Sequence, residues 1–566
     1  MQHLYLTLLF LFPQLSWAQS DFIRLDGQFG DWQGQVATED PVGDASQLDL
    51  RSVTLSHDEQ FLYLRLVLTT EIPFQESDLE LFLDTDLDAS TGSSIAGMGA
   101  DLVYHFGQKE GSFRGANVRH WALGLVALPT HTADTFEIAL RRDARPDGQN
   151  LLLSSNSVRL LLRTQGNNGD LLPDQGFLTY TFVPTTLPAY TPIDLAKSDS
   201  SLLRLVAYNI LSDGPFDAGR TAPFPRIWQA MAADIYCFNE FYNSSANQVK
   251  TLMDQVLPLG TSQGWYVSKE DADNVTVSRW PILEAVKFST YGNMTANWID
   301  LPDTYLHDLV VVNAHFSCCT ANDARQRQAD AVVAFFRDLK NGNGPWNLPS
   351  GTPLVLAGDL NLVGFKQQLE TLLRGDIQNE GLFGPDEAPD WDDSPLTDAL
   401  IYQSDAPVAT TWRNPNSIFA PGRLDYIIYS DHVMTLSKAW SLDTPTLPSS
   451  RLSQYQLQLD DTFVSDHLPL VVDFELAQQA ANLAKPLRPS FEIYRPQGQR
   501  VLNIRQAQPS AQLSLRLIDA QGKVVQTWQL SEANSELSLV QLPSGVYLAI
   551  GQNELGEQAM ARFKLD

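Results

Sequence analysis

Residues 353–361 read PLVLAGDLN, an apolar run that ends in two polar side chains. The run over 354–357 has no polar residue, which is typical of a strand buried on both faces of a sheet. The polar residues that follow, Asp359 and Asn361, are two positions apart. Because side chains alternate along a strand, we expect both to point to one face. The stretch therefore predicts a buried strand with chemically active groups at its end.

Polar residues recur beside apolar strands on both sides of this stretch: at the strand end in the first three segments, within the fourth segment, and just before the strand in the fifth. The segments are 203–210 (LRLVAYNI, with Asn209), 234–240 (DIYCFNE, with Glu240), 308–316 (DLVVVNAHF, with Asn313 and His315), 422–430 (GRLDYIIYS, with Asp425) and 464–476 (VSDHLPLVVDFEL, with Asp466 and His467). Residues 323–339 (DARQRQADAVVAFFRDL) have helical periodicity. The alternation predicts an α/β region over residues 200–476, with its active groups at strand ends.

The residue types at these strand ends suit metal-assisted phosphoryl chemistry. Hard divalent cations such as Mg²⁺ prefer oxygen ligands, which Glu240 offers. Phosphoryl transfer also needs a base and donors around the developing negative charge. Asp359 and Asn361 can supply these, and Asp425 can hold His467 in one tautomer. Each residue alone has an ordinary structural explanation, and only their joint occurrence favours a catalytic site.

Together these elements resemble the endonuclease/exonuclease/phosphatase superfamily, also called the deoxyribonuclease I-like fold. The matching elements are Asn209, Glu240, Ser278-Arg279-x-Pro281-Ile282, Asn313-x-His315, Gly358-Asp359-x-Asn361, Thr411-Trp412, Arg423 to Ile427 and Ser465-Asp466-His467. Asn239 stands where this superfamily more often has Gln. The resemblance covers residues 200–476 and implies a four-layered α/β sandwich, in which two mixed sheets have helices outside.

The resemblance also implies roles for the matched positions. The implied metal ligands are Glu240, Asn209 and Asp466, with Mg²⁺ as the ion and Mn²⁺ or Ca²⁺ as alternatives. The implied catalytic residues are Asp359, Asn361, His467, His315 and Asp425. Asp359 or His467 would activate water, Asn361 and His315 would contact phosphate oxygens, and Asp425 would orient His467. Substrate contacts are expected from Asn313, Arg325 and Trp412, although an exposed helix arginine is the alternative for Arg325.

Residues 19–185 predict an all-β region. Short strands around polar turns, as in 52–68 (SVTLSHDEQFLYLRLVL), suggest a β-sandwich. Asp84, Asp86 and Asp88 could converge on a structural Ca²⁺, with a solvated acidic turn as the alternative. The region resembles family 9-type carbohydrate-binding modules in the segments 25–32 (LDGQFGDW, with Asp26, Asp31 and Trp32), 84–92 (DTDLDASTG) and 99–106 (GADLVYHF, with Asp101). This resemblance implies a sandwich, with a glycan as a candidate ligand.

Both terminal segments indicate export. An apolar run over 4–12, followed by Pro13 and the small-residue site Ser16-Trp17-Ala18, predicts a signal peptide over 1–18. Residues 489–566 are β-rich and resemble the C-terminal sorting domain of the type IX (Por) secretion system in 517–525 (LIDAQGKVV), 542–550 (LPSGVYLAI) and 561–566 (ARFKLD). The resemblance implies export by that machinery to the medium or cell surface, with a small accessory sandwich as the alternative.

Composition limits the partners that this chain can have. Its 566 residues include 38 Lys and Arg against 67 Asp and Glu, a net charge of −29. The excess lies in residues 19–185 (11 − 24 = −13) and 186–488 (20 − 36 = −16), whereas 489–566 are neutral (7 − 7 = 0). This balance argues against a broad basic face for nucleic acid or for an anionic membrane. It leaves open a phosphate substrate held through a metal.

The three cysteines exclude a disulfide-stapled scaffold. Cys237 lies within a predicted strand, where a core position is expected. Cys318 and Cys319 are adjacent, and either a vicinal disulfide or two thiols would fit the sequence. Metal binding by this pair alone is not expected.

The predicted architecture is multidomain: a central α/β four-layered sandwich flanked by two all-β sandwich domains. Its parts are a signal peptide (1–18), a carbohydrate-binding-module-like sandwich (19–185), a linker (186–199), the catalytic domain (200–476), a second linker (477–488) and the sorting domain (489–566). The leading functional hypothesis is a secreted, metal-dependent phosphodiesterase, most readily a nuclease. The alternatives are a sphingomyelinase or another phosphatase of the superfamily, and a surface glycan-binding protein with an inactive core.

Overall fold

The structure is a computed structural model that describes residues 22–166, 168–184, 190–478, 491–495, 500–506, 512–554 and 558–565. The predicted signal peptide over residues 1–18 lies outside these ranges, as does most of the predicted second linker. None of the helices in the described ranges is long and apolar enough to cross a membrane.

In the described residues, the N-terminal region contains strands, one short α-helix and two single-turn 3₁₀ helices. The elements are β1 Ala37–Glu39, β2 Leu50–His57, β3 Phe61–Ile72, β4 Leu79–Asp84, β5 Ser93–Ile95, β6 Met98–Ala100, β7 Leu102–His105, β8 Glu110–Phe113, β9 Ala116–Val118, α1 His120–Leu123, β10 Val126–Leu128, β11 Ala133–Arg141, β12 Ser157–Thr164, β13 Leu171–Leu172 and β14 Leu178–Thr181. One sheet has the order β1-β2-β3-β11-β10, and the other has β13-β12-β4-β7-β8-β9 with β14 also paired to β12. All pairings are antiparallel, and the inward side chains of both sheets form one apolar core.

The central region alternates strands and helices. The elements are β15 Leu203–Asn209, α2 Pro223–Met231, β16 Ile235–Asn239, α3 Ala246–Val256, β17 Tyr266–Ser268, β18 Val275–Ser278, β19 Ile282–Lys287, β20 Asn293–Ile299, β21 Leu309–His315, α4 Asn322–Lys340, β22 Leu354–Asp359, α5 Gln367–Arg374, α6 Glu380–Phe383, β23 Thr397–Asp398, β24 Asp425–Tyr429, β25 Met434–Ser441, α7 Ser449–Gln454 and β26 Leu470–Leu476. The first sheet has the order β17-β18-β16-β15-β26-β25, and the second has β19-β20-β21-β22-β24-β23. Each sheet has one parallel pairing, β15 with β16 and β21 with β22.

Three apolar clusters hold the central region together. One contains residues of both sheets, including Leu205, Val311 and Val355. A second joins the first sheet to α2 and α3, and a third joins the second sheet to α4 and α5. The continuous apolar runs of the strands follow from this arrangement, because both faces of β15, β16 and β22 are covered. Cys237 is fully buried in β16, as its apolar surroundings predict.

The C-terminal region contains only strands within the described residues. They are β27 Phe491–Tyr494, β28 Val501–Gln506, β29 Leu513–Asp519, β30 Val524–Leu530, β31 Asn534–Ser538, β32 Gly545–Asn553 and β33 Gln558–Leu565. They form two sheets, of order β27-β28-β31 and β30-β29-β32-β33, around a shared apolar core. The predicted multidomain order, with β-rich regions on both sides of an α/β domain, is therefore confirmed.

The N-terminal and central regions are packed against each other. Leu25 lies in one apolar cluster with Val408, and backbone hydrogen bonds join Leu25 to Pro407 and Ala409. Nearby, the hydroxyl of Tyr402 donates to the Asp26 carboxylate. The N-terminal region is thus a fixed part of the molecule around residues 402–409.

The second half of the predicted first linker is not free of the central domain. Leu195 is fully buried, and the guanidinium of Arg204 donates to its carbonyl oxygen at 2.8 Å. The hydroxyl of Tyr190 donates to the carbonyl of Gln403. Residues 186–199 were predicted to be a linker, and within them Tyr190 and Leu195 contact the central domain.

Candidate active site

The ends of four central strands meet at one edge of the two sheets. Asn209 and Asn239 are register partners in the first sheet, and Asp359 pairs with both His315 and Asp425 in the second. Several hydrogen bonds cross between the sheets here, and two of them involve Asp359. The amide of Asn209 donates to Oδ2 of Asp359 at 3.1 Å, and the backbone N–H of Asp359 donates to Oδ1 of Asn239 at 3.0 Å. The predicted convergence of polar strand ends therefore occurs.

Asp359 is the centre of the group. Its Oδ2 lies 3.5 Å from Nε2 of His315 and 3.5 Å from Nε2 of His467. The carboxyl group is almost fully buried. Burial raises the pKa of Asp359, and the nearby His467 lowers it only in part. One buried carboxylate therefore faces two imidazole rings.

Asp425 orients the ring of His467. Nδ1 of His467 lies 2.9 Å from Oδ2 of Asp425, which is fully buried. Burial alone would lower the pKa of His467, but the charges of Asp425 and Asp359 raise it to about 10. The Thr411 hydroxyl accepts the backbone N–H of Asp425 and fixes the start of β24. The predicted carboxylate–histidine pair is present.

Asp273 orients the ring of His315, and this residue was not among the predicted site residues. Nδ1 of His315 lies 2.8 Å from Oδ2 of Asp273. Burial alone would lower the pKa of His315, but the hydrogen bond with Asp273 and the surrounding carboxylates raise it to about 9. Burial would likewise raise the pKa of Asp273, yet its contacts with His315 lower it. Asp273 precedes β18, whose start lies beside the end of the antiparallel β16.

Glu240 follows β16 in the left-handed backbone region, with φ of +70°. Its backbone N–H donates to Oδ1 of Asp273 at 2.6 Å. Oε1 accepts from the Asn209 amide at 2.9 Å, and Oε2 accepts from the backbone N–H of Ser212 at 2.8 Å. Asp273 thus links the Glu240 backbone to His315, and the carboxylate of Glu240 lies beside Asn209.

Asp466 precedes His467 and carries an unpaired oxygen. Its Oδ2 accepts from the indole N–H of Trp412 at 3.1 Å. Its Oδ1 is buried and has no hydrogen-bond partner within the described ranges. An unpaired buried carboxylate oxygen is costly unless a cation binds it. Together with Glu240 and Asn209 it offers oxygen atoms only, the donor set that suits a hard divalent cation.

Asp359, Asp425 and His467 also lie close together: one potential metal-ligating atom from each lies within 4.8 Å of the others. Nδ1 of His467 is already taken by Asp425, and both carboxylates are fully buried. A histidine whose ring nitrogen donates to a carboxylate is arranged to carry or accept a proton at the other nitrogen. Nε2 of His467 is the ring nitrogen that Asp425 does not hold, and it faces Oδ2 of Asp359 at 3.5 Å.

Comparison with known families decides the identity of this region. Residues 206–467 match the model of the Endonuclease/Exonuclease/phosphatase family. These residues form an endonuclease/exonuclease/phosphatase domain. The match supports a hydrolase that acts on phosphate esters, and proteins of this family generally depend on a divalent metal ion.

Several solved structures are similar to the chain at low identity. An endonuclease/exonuclease/phosphatase from Beutenbergia cavernae DSM 12333 is 18% identical, covers 64% of this chain and 100% of its own, and has a TM-score of 0.31. TDP2 of D. rerio, complexed with single strand DNA product, is 15% identical with coverages of 49% and 100% and a TM-score of 0.32. Beta toxin from Staphylococcus aureus is 17% identical with coverages of 48% and 99% and a TM-score of 0.30. No curated protein matches the chain.

Asn361 of the endonuclease/exonuclease/phosphatase domain is not on a strand. Strand β22 ends at Asp359, and Asn361 has a left-handed φ of +46°. Its backbone N–H donates to Oδ1 of Asp359, and its side-chain amide donates to the carbonyl of Phe316. The argument from strand alternation was therefore wrong, although the turn still keeps Asn361 in contact with Asp359.

Asn313 was expected to contact substrate, but it links strands inside the domain. Its amide donates to the carbonyls of Phe238 and Val275, its Oδ1 accepts from Asn239, and it is fully buried. Every strong hydrogen-bonding group of this side chain is used internally. The prediction was wrong because a buried Asn between two sheets and a substrate-binding Asn look alike in sequence.

Arg325 was also expected to reach a phosphate, and it is buried instead. Its guanidinium donates to the Ser317 carbonyl and to side-chain oxygens of Gln368 and Asn322. Burial lowers its pKa. The alternative of an exposed arginine was wrong too, because Arg325 fastens the loop between His315 and helix α4. Trp412, the third predicted substrate contact, holds Asp466 instead.

Cys318 and Cys319 lie in that loop as two exposed free thiols. The structure therefore has two thiols here and no vicinal disulfide between Cys318 and Cys319.

The predicted calcium ligands of the N-terminal region form only part of a cluster. Asp84, Asp86 and Asp101 group together, whereas the carboxylate of Asp88 accepts from Ser90 in a local turn. Arg159 contacts Asp84, and Arg114 contacts both Asp86 and Asp101. These arginines neutralise the carboxylates. Asp84 and Asp101 are buried, so the cluster is not a solvated acidic turn, and a Ca²⁺ site there stays a prediction.

Residues that carried the resemblance to sugar-binding modules are structural. Trp32 is almost fully buried, and its indole N–H donates to Oε1 of Glu137 at 2.8 Å. Backbone N–H groups of Asp26 and Gly27 donate to the other oxygen of Glu137. Trp32 therefore offers no exposed ring for a sugar.

The N-terminal region also touches two loops next to the active site. The backbone N–H of Thr132 donates to the Gly364 carbonyl at 2.9 Å, three residues after Asn361. The backbone N–H of Arg423 donates to the hydroxyl of Thr130 at 2.7 Å, two residues before Asp425. The loop over residues 130–132 thus braces the loops that carry Asn361 and Asp425.

Proposed function

We propose that the endonuclease/exonuclease/phosphatase domain hydrolyses phosphodiesters with a divalent metal ion, and that its substrate is nucleic acid. The observation that carries this proposal is the position of Asp359 Oδ2, 3.5 Å from Nε2 of both His315 and His467. Two imidazole rings, each held from behind by a carboxylate, face the same point. A phosphate group is the anion that such a pair of donors suits.

The histidines bind and orient the phosphate. The raised pKa values of His315 and His467 keep both rings positively charged at neutral pH in the metal-free protein. Their Nδ1 atoms are held by Asp273 and Asp425, so each ring can turn only Nε2–H toward the substrate. The rings therefore stabilise the growing negative charge on the phosphate oxygens without having to reorganise.

Glu240, Asp466 and Asn209 would hold the metal ion. When bound, such an ion supplies charge neutralisation and Lewis-acid polarisation of a phosphoryl oxygen. The unpaired Oδ1 of Asp466 and the all-oxygen donor set support this assignment. Mg²⁺ is our proposed ion, with Mn²⁺ or Ca²⁺ as alternatives.

Asp359 is our proposed proton acceptor for the attacking water. Its carboxylate is fixed by the Asn209 amide and by the backbone N–H of Asn361, and both contacts leave it as an acceptor. His467 donates to Asp425 and faces Asp359, which suits a proton donor to the leaving oxygen. The sequence left Asp359 and His467 as alternatives for the base, and this geometry favours Asp359.

The surface around the site is better suited to aromatic stacking on bases than to binding of phosphates by basic side chains. Tyr242 is two residues from Glu240 and 44% exposed, and Phe365 is four residues from Asn361 and 54% exposed. Arg413, in contrast, is buried in an ion pair with Asp443. Exposed aromatic rings stack on nucleic acid bases, and the net charge of −16 over residues 186–488 opposes tight binding of long duplexes. We therefore propose single-stranded nucleic acid as the preferred form.

A sphingomyelinase or another phosphatase is the second candidate, because the same exposed rings could enter a lipid surface. A glycan-binding protein with an inactive core is less well supported, since the acid, histidine and metal positions are all occupied by suitable residues. A panel of single-stranded DNA, duplex DNA, RNA, sphingomyelin vesicles and simple phosphate esters separates these candidates. We expect the highest rate on single-stranded nucleic acid, with Tyr242→Ala and Phe365→Ala raising KM for that substrate alone.

Preference for sphingomyelin would replace the nuclease by the lipid hydrolase. Absence of turnover on every substrate, together with glycan binding, would favour the binding protein. An exposed aromatic far from the site in sequence, Trp121, provides the control variant Trp121→Ala, which should leave KM unchanged.

We also propose export and surface location from the two terminal segments. The apolar run and small-residue site of residues 1–18 support a signal peptide, and the motifs within 489–566 support type IX secretion. Secretion of a reporter carrying both segments, lost when the last segment is removed, would test this. We also propose that the N-terminal region binds a glycan when the protein is at the cell surface.

A further inference from the structure

The N-terminal region contains a second acidic cluster, separate from the predicted calcium ligands. One oxygen from each of Asp40, Asp44 and Asp170 lies within 4.8 Å of the other two. Asp40 follows strand β1, Asp44 lies in the loop between β1 and β2, and Asp170 precedes β13. Because β1 and β13 belong to different sheets, the cluster spans the two sheets of the region.

Asp40 carries a buried oxygen that no group of the described residues hydrogen-bonds. Its side chain is only 7% exposed, and its Oδ2 has no hydrogen-bond partner in the described part of the chain. Burial raises the pKa of Asp40 to about 7, with further contributions from Asp170, Asp174, Asp44 and Asp49. A buried carboxylate with only acidic neighbours is unfavourable unless a cation is present.

In the part of the chain that the structure describes, this cluster has no ion pair with a basic side chain. Neither the three aspartates of the cluster nor the neighbouring Asp49 and Asp174 form an ion pair with Lys, Arg or His within the described residues. The neighbouring cluster of Asp84, Asp86 and Asp101 differs in this respect, since Arg114 and Arg159 contact it. The two clusters therefore have opposite electrostatic character, although both are groups of three aspartates.

The remaining contacts hold the cluster in shape without using up its oxygens. Asp170 accepts the backbone N–H of Leu50 at 2.6 Å and that of Leu171 at 2.8 Å. Asp49 accepts the backbone N–H of Gly43. Each carboxylate oxygen has two acceptor positions, so one N–H donor still leaves room for a cation.

We propose that Asp40, Asp44 and Asp170 bind a Ca²⁺ ion that ties the two sheets of the N-terminal region together. Oxygen ligands lie about 2.3–2.6 Å from Ca²⁺, so two oxygens on one ion are at most about 5 Å apart. The observed spread of 4.8 Å meets this limit. Asp44 and Asp174 are exposed, which gives the ion a path from solvent and room for water ligands.

The ion acts on stability and not on the phosphoryl chemistry. Binding to the folded state alone stabilises that state in proportion to the logarithm of the free ion concentration. The ion would link the loop over residues 40–49 to the segment before β13. Mg²⁺ is expected to be a poor substitute, because it requires shorter distances and near-octahedral geometry.

Calorimetry on the full chain tests the proposal. Isothermal titration with CaCl₂ is run in excess Mg²⁺, which occupies the active site, and thermal unfolding is measured in Ca²⁺ and in EDTA. The variants are Asp40→Asn and Asp44→Asn, the second at an exposed position that tolerates substitution. The matched control is Asp86→Asn in the arginine-compensated cluster.

Wild type and Asp86→Asn should bind one more Ca²⁺ than Asp40→Asn and Asp44→Asn, and only the first two should unfold at a higher temperature in Ca²⁺. In EDTA, Asp40→Asn should unfold at the wild-type temperature or above, because the substitution removes an uncompensated charge. An equal Ca²⁺ effect in all four proteins would overturn the proposal. So would an equal loss of stability of Asp40→Asn in Ca²⁺ and EDTA, which indicates a purely structural side chain.

Discussion

Oδ2 of Asp273 lies 2.8 Å from Nδ1 of His315, so a buried carboxylate holds this ring as Asp425 holds His467. The two histidines of the endonuclease/exonuclease/phosphatase domain are thus each held by a buried carboxylate, one just before β18 and the other at the start of β24. Asp273 also accepts the backbone N–H of Glu240. It connects the phosphate-binding side of the proposed site to the metal-binding side.

Replacing Asp273 should therefore impair turnover more than substrate binding. We expect Asp273→Asn to lower kcat on the order of 10²-fold and to shift the alkaline limb of the pH–rate profile, because His315 loses the partner that raises its pKa. Steady-state kinetics across pH measure both effects. Asp303→Asn, at an exposed position, is the control. A rise in KM with unchanged kcat and pH profile would contradict a positioning role.

Trp412 should act through the metal. Its indole N–H donates to Oδ2 of Asp466, which leaves Oδ1 for the ion. Loss of such a supporting contact typically costs 10–100-fold in metal affinity. We expect Trp412→Phe to raise the Mg²⁺ concentration for half-maximal activity by about that factor, with near-normal activity at saturating Mg²⁺. Trp121→Phe is the exposed control, and loss of activity that excess Mg²⁺ does not restore would contradict this role.

The N-terminal region and the catalytic domain should unfold together. Leu25 is 1% exposed and packs with Val408 across their boundary. We expect Leu25→Ala to lower the free energy of unfolding by about 2–5 kcal/mol. Denaturant unfolding should show one shifted transition for both regions, whereas Val36→Ala, at an exposed position, should have little effect. Two separate transitions, of which only the first moves, would show that the contact does not couple the regions.

Glu80 should give stability a measurable pH dependence. Burial alone would raise the pKa of Glu80, but hydrogen bonds from Arg163 and Gln165 and the charges of Arg163 and His105 lower it below 4.5. The ionised carboxylate therefore stabilises the fold above pH 4.5, and this contribution is lost as the pH falls through the lowered pKa.

We expect Glu80→Gln to cost about 1–3 kcal/mol at pH 7, with the difference from wild type shrinking below pH 4.5. Thermal unfolding at several pH values measures it, with the exposed Glu59→Gln as the control. A difference that does not change with pH would mean that the charge of Glu80 is unimportant.

Sequence patterns predicted most of the catalytic architecture, because apolar runs that end in polar residues reflect strands buried on both faces. Asn209, Glu240, Asp359 and His467 lie at or just beyond strand boundaries, and Asp425 begins β24. The prediction missed Asp273, although it included Asp466 and His467, which also precede a strand, because Asp273 lies in none of the matched motifs. An antiparallel neighbour brings the start of β18 to the same sheet edge.

Burial was the property that sequence could not supply. Asn313 and Arg325 are polar residues next to the catalytic His315, yet both are fully buried and their groups are used within the domain. Asn361 kept its contact with Asp359 through a left-handed turn that alternation along a strand does not describe. In the N-terminal region, Asp88 was grouped with its neighbours by spacing, whereas Asp101 joins them through the pairing of β4 with β7.

The central claim is that Asp359, facing two histidines, supports metal-dependent phosphodiester hydrolysis. The most direct test measures cleavage of single-stranded nucleic acid by full-length protein in Mg²⁺ and in EDTA. It compares wild type with Asp359→Asn and with the exposed control Asp323→Asn. We predict turnover in Mg²⁺ by wild type and Asp323→Asn, none in EDTA, and a fall on the order of 10²–10⁴-fold for Asp359→Asn. Equal activity of Asp359→Asn and wild type, or activity that EDTA leaves unchanged, would contradict the account.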